Sequence, residues 1–124
     1  IAPFMLTKAC MPLLQRAEQA SVIFTSNHSA HALQPFWGAH GISKCATDNL
    51  MQMWSKELDS QTNLRFNSIV PGPTQTPQRK KTHPGELHET LPTAAELMPL
   101  YLYLMGKDSV GVSGQIHFAQ TPAN

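Results

Sequence analysis

The sequence predicts an α/β fold, three parallel strands with helices packed against them. Three observations lead there. Segments of helical period alternate with short apolar runs in the order helix, strand, helix, strand, loop, helix, strand, which favours a parallel sheet joined by right-handed crossovers. The apolar runs are nearly continuous, as in strands covered on both faces. With 124 residues, 41% hydrophobic and 14% charged, the chain can build one modest core but not two.

Residues 3–19 carry Leu6, Cys10, Leu13, Leu14 and Ala17 at helical spacing, and Phe4, Met5, Ala9 and Met11 widen the stripe. Pro3 suits a first turn. Residues 21–26 read as the first strand. After a polar loop, residues 36–58 form the longest periodic segment, with a stripe of Ile42, Ala46, Leu50, Met53 and Leu58 extended by Cys45, Met51 and Trp54. A helix this apolar calls for a sheet on one side and a helix or subunit on the other.

Residues 64–70, LRFNSIV, form the second strand, stopped by Pro71-Gly72-Pro73. Residues 74–92 are polar and interrupted by proline, a loop or short helices of the length that usually carries function or motion. Thr93-Ala-Ala-Glu96 matches a capping box, and Leu97, Leu100, Tyr101 and Leu104 give the helix its apolar face. Pro99 should bend that helix and Gly106 should close it. Residues 115–120, QIHFAQ, supply the last strand.

A net charge of +1 gives no electrostatic case for nucleic acid or an anionic membrane. The one basic run, Arg79-Lys80-Lys81, reads as a solvated loop segment. No apolar run reaches about 18 residues, so no membrane span is predicted. Cys10 and Cys45 fall on apolar helix faces and read as buried free thiols of a reducing, cytoplasmic compartment. His28-x-x-His31, His40, His83 and His88 lack a cysteine or carboxylate at ligand spacing, so no metal site is predicted. No signal-peptide pattern opens the chain, which begins with a helix already under way.

Five pieces then occur in order: FMLTKACMPLLQRAE, the strand VIFTSN, the spacing from Asn27 to His40 and Lys44, Pro71-Gly72-x-x-x-Thr76, and LYLYLMGKDSVGVSGQ. Together they resemble the C-terminal half of a short-chain dehydrogenase/reductase, most like the bacterial YciK-type branch. The resemblance spans essentially the whole chain. It implies an incomplete Rossmann-like, doubly wound fold in one partial domain, residues 1–124, with the N-terminal βαβ half missing. No Gly-x-x-x-Gly-x-Gly turn for a dinucleotide pyrophosphate is present.

The resemblance also implies a site. Such enzymes place a serine after a strand, a tyrosine thirteen residues on, and a lysine four after that. The phenol exchanges a proton with the carbonyl or alcohol, the lysine assists it and holds the nicotinamide ribose, and the serine orients the substrate oxygen. Here the three positions are Asn27, His40 and Lys44, so only the lysine matches. Asn27 can donate from its amide, whereas the imidazole of His40 is shorter than a phenol, and misplacement by about 1 Å can cost on the order of 10²-fold. Ser26 precedes the serine position and should point elsewhere. Tyr101 and Tyr103 have the wrong spacing to replace the phenol.

Lys44, Pro71, Gly72 and Thr76 match the nicotinamide side, which implies NAD or NADP, with binding weakened by the absent glycine-rich turn. The implied function is an oxidoreductase of a carbonyl or alcohol substrate, weakly active or inactive as this chain. The other reading is a non-catalytic module that dimerises through the helices at 3–19 and 36–58, which such proteins commonly use for that purpose.

Overall fold

Two parallel ladders organise the molecule, whose computed structural model describes residues 1–32 and 35–121. Strand β1 (Ala20–Thr25) runs beside β2 (Leu64–Val70), with Ala20 opposite Leu64 and Thr25 opposite Ile69. Strand β3 (Ile116–Phe118) joins the far side of β2, with Ser68 opposite Ile116, so the sheet order is β1-β2-β3. Every connection is therefore a crossover, made through α2 (Gly38–Glu57) for the first and through α3 (Pro77–Thr82) and α4 (Ala94–Met105) for the second. Helix α1 (Ala2–Arg16) leads into β1, and single turns of 3₁₀-helix occur at His28–Ala30, His88–Thr90 and Lys107–Ser109.

Side chains alternate across the strands. One face puts Ala20, Phe24, Leu64 and Phe66 against Met51 and Trp54 of α2, with Met11 and Leu14 of α1 packed alongside. Trp54 joins the layers, its ring lying between Phe4 of α1 and Phe24 of β1 at centroid distances of 5.5 and 6.4 Å. The opposite face meets α4, where Ser21 Oγ donates to the Leu104 carbonyl at 2.7 Å and Leu104 is fully buried.

All seven residues of β2 are buried, including Arg65 and Asn67. The Arg65 guanidinium donates to the Gly106 and Met105 carbonyls at 2.8 and 3.3 Å, so it neutralises the C-terminal end of α4. Asn67 donates to the Val112 carbonyl and accepts from the Gln115 amide, which fixes the approach to β3.

The order and type of elements follow the sequence, and their bounds differ in detail, with β1 at Ala20–Thr25 where 21–26 is expected. Helix α1 ends at Arg16 rather than 19, because Ala17 is already extended, while it continues through Pro12. Helix α2 begins at Gly38 and ends at Glu57, not 36–58, and the loop before it includes residues 33 and 34, outside the described residues. The last strand is three residues, not six.

The buried seam of α2 also differs from the apolar stripe. It runs through Asp48, Met51 and Trp54, while Ile42 and Met53 are exposed. Cys45 is accordingly exposed and Cys10 only half-buried. Polar contacts to the strand ends, described next, turn the helix this way.

Candidate functional site

A single stripe of α2 assembles the site. Gly41, Lys44, Asp48, Met51 and Ser55 recur at three- and four-residue intervals, so they share one face of the helix. That face meets the turn after β1, the end of β1, the core and the approach to β3 in succession. A Cβ on Gly41 would stand 2.8 Å from the Ser29 carbonyl oxygen, so the helix can approach that turn only with glycine there. Lys44 Nζ donates to the Thr25 carbonyl at 2.9 Å. Ser55 Oγ lies 2.9 Å from Ser113 Oγ.

Asp48 is buried, and one of its carboxylate oxygens takes Ser26 Oγ at 2.5 Å and stands 3.1 Å from His31 Nε2. Ser26 therefore points into the helix layer, as strand alternation requires. Asn27, the next residue, faces the strand-end crevice. Its Oδ1 accepts from the Ser29 amide at 3.0 Å, closing the His28–Ala30 turn, which leaves both Nδ2 protons available as donors.

Two adjoining cavities of about 410 and 330 Å³ open at this end of the sheet, and both are lined by Asn27, His40, Pro71 and Gly72. Lys44 lines the smaller and Thr76 the larger. The structure thus gathers the sequence-predicted residues around one crevice at the C-terminal ends of β1 and β2. Open α/β sheets bind ligands in that place. His40 is exposed on the first turn of α2 and meets the Trp37 ring edge-on at 5.5 Å.

The loop after β2 is shaped by Gly72, whose φ of +78° needs glycine. Gln120, beyond β3, holds this loop by donating from Nε2 to the Pro71 and Pro73 carbonyls at 2.9 and 2.6 Å. Thr76 Oγ1 accepts from the Arg79 amide and starts α3, so its hydroxyl proton remains to be donated.

The cavity residues that sequence reasoning missed include Trp37, Arg79, His83 and Tyr101. His83 stacks on Trp37 at 6.0 Å, which joins the 74–92 segment to the start of α2. Arg79 donates from Nε and Nη2 to the Glu86 carboxylate at 2.7 and 2.9 Å. That bond holds the Glu86 carboxyl below its usual range. Tyr101 shares the helix face of Leu97, the signal that could have placed it here. Among the described residues no three of His, Cys, Asp and Glu come together as metal ligands.

Comparison with known proteins agrees with this geometry. A family model described as enoyl-(acyl carrier protein) reductase matches residues 1–120. The uncharacterized oxidoreductase YciK of Escherichia coli K12 is 43% identical over 119 residues, covering 96% of this chain and 46% of YciK. A short chain dehydrogenase from Salmonella enterica serovar Typhi superposes with a TM-score of 0.93 at 42% identity, over 97% of this chain and 49% of that one. An Escherichia coli CFT073 short chain dehydrogenase solved with NADPH gives 0.91 at 42% identity, over 97% and 49%. The chain spans about half the length of the relatives it matches.

Proposed function

The chain belongs to the short-chain dehydrogenase/reductase family, and from that premise we propose that it descends from an NAD(P)-dependent oxidoreductase of carbonyl or alcohol substrates whose catalytic centre is impaired. One observation carries the reading: Asn27, His40 and Lys44 line the adjoining cavities at the strand ends, and by resemblance these are the positions of the family's serine, tyrosine and lysine. Lys44, Pro71, Gly72 and Thr76 would hold the nicotinamide side of NADP or NAD, which supplies or accepts the hydride when bound. A relative solved with NADPH supports that assignment.

The protein's own groups divide the remaining work. Asn27 Nδ2 offers hydrogen bonds to a carbonyl oxygen and so polarises it. His40 is the nearest analogue of the missing phenol and can pass a proton to that oxygen, but from a shorter side chain. Lys44 already donates to the Thr25 main chain, which leaves its other protons for a ribose hydroxyl.

The alternative, a non-catalytic dimerisation module, is favoured by the apolar residues that α1 and α2 leave in water. Leu6 is 68% exposed, Leu13 70%, Ile42 72% and Met53 57%.

Titration with NADPH and NADH, followed by energy transfer from tryptophan, separates the readings when paired with sedimentation at several concentrations. The impaired enzyme gives weak or no saturation, and His40→Tyr with Asn27→Ser raises carbonyl reduction in a full-length parent. Saturable binding by this chain defeats the impaired-enzyme reading. A strict monomer defeats the dimer module.

A further inference from the structure

Among the described residues the larger cavity has one permanently charged side chain in its wall, Arg79, and no carboxylate. From this we propose that it takes a carbonyl compound with a flat apolar body and a carboxylate away from the reacting carbon. Aromatic keto acids are of that class, and Arg79 is the partner of the acid group. The inference deepens the oxidoreductase reading of the same cavity and rests on it only for the reacting end.

The apolar walls come from Trp37, Leu97, Met98 and Tyr101, and about 410 Å³ holds a substituted ring. Trp37 is braced for contact with a flat body. His83 lies over one face of its ring at 6.0 Å and 30°, and His40 meets it at 77°. The indole is therefore fixed before a ligand arrives, which lowers the entropy lost on binding. Asn27 and His40 reach the cavity from the β1–α2 side and Arg79 from α3, so a ligand spanning it meets carbonyl donors at one wall and a guanidinium at another.

Arg79 is set for a second partner. Glu86 occupies Nε and Nη2, which locks the guanidinium plane, and Nη1 has no hydrogen-bond partner among the described residues. The side chain is 24% exposed, so water is partly excluded. Glu86 cancels the formal charge, and recognition therefore comes from directed N–H groups rather than net attraction. The expected preference is accordingly modest, about tenfold.

The test uses the 124-residue chain, 4-acetylbenzoate and its methyl ester. The NMR signal of the Trp37 indole N–H, assigned with Trp37→Phe, reports binding. The acid should bind about tenfold more tightly than the ester at neutral pH. Arg79→Gln should bring the two within about twofold, and Glu86→Gln, which keeps Arg79 and removes its competing carboxylate, should tighten the acid.

Equal binding of acid and ester overturns the proposal. So does a preference that survives Arg79→Gln, an acid weakened by Glu86→Gln, or a Trp37 signal that neither compound moves. Cofactor titration is independent of these outcomes. A chain that prefers the acid yet binds NADPH saturably keeps the proposal and loses the impaired-enzyme reading, and one with neither acid preference nor saturable NADPH binding loses only the proposal.

Discussion

At the scale of single residues, the site depends on how closely α2 can approach the turn that follows β1. Gly41 permits that approach, because a Cβ there would stand 2.8 Å from the main-chain oxygen of Ser29 and force the turn or the helix to shift. The same turn is closed by Asn27 Oδ1, so a shift at residue 29 is passed to the amide group aimed at the crevice. Gly41→Ala should cost about 1–3 kcal/mol, and the Nδ2 proton resonances of Asn27 should move. Thermal unfolding and NMR check this, and an unchanged melting temperature would show that the turn yields freely.

Resemblance alone pointed to Asn27, His40 and Lys44, and the structure brings them to one crevice. It could not point to Trp37, Arg79 or His83. Their place depends on how the 74–92 segment folds back over α2, through a stacked ring pair that no local pattern encodes.

At the scale of elements, α4 shows how much of a helix a short motif can specify. Thr93 Oγ1 accepts from the Glu96 amide while the Glu96 carboxylate accepts from the Thr93 amide, the reciprocal pair the sequence predicts. Thr93→Ala should cost about 1 kcal/mol, visible as a lower melting temperature.

The Thr93 backbone amide, and then its hydroxyl, hold the Glu96 carboxyl below its ordinary 4.5. The folded state therefore binds this proton less readily than the unfolded one. The contribution is complete above about 4.5 and is lost as pH falls through the lowered value. Thr93→Ala, which keeps the amide and removes the hydroxyl, should consequently matter less in acid, and an undiminished difference at low pH would rule out the hydroxyl's bond to the carboxylate.

Helix α2 shows the limit of pattern reading. Its periodicity is clear, and Leu50, Met51, Trp54 and Leu58 of the expected stripe do meet the core. But Ile42, Cys45 and Met53 face outward, because Lys44, Asp48 and Ser55 hold the helix to strand ends and the approach to β3 through polar groups. Hydropathy counts an apolar residue as inward-facing. It cannot recognise a polar seam that is satisfied only once the sheet exists.

At the scale of the whole molecule, the parallel direction of the strands was legible, since strands separated by helices leave little choice but parallel crossovers. The extent of β3 was not, because only three of its residues find partners on β2. Among the described residues β1 pairs on one side only. Ala20 and Ser26 send their N–H groups to the carbonyls of Asn63 and Ile69 on the β2 side, so by parallel-strand geometry Val22 and Phe24 also point toward β2. Ser21, Ile23 and Thr25 face the other way. Hydrogen exchange should alternate along the strand, slow at Val22 and Phe24 and fast at Ser21 and Ile23, and uniform protection would show the outer edge to be covered.

The Thr25 carbonyl on that edge is where Lys44 rests its ammonium. A strand laid against β1 and a ligand drawing Lys44 into the crevice would therefore act on the same bond from opposite ends. Linkage makes the effect mutual: either one, by loosening that bond, raises the affinity for the other by an equal factor.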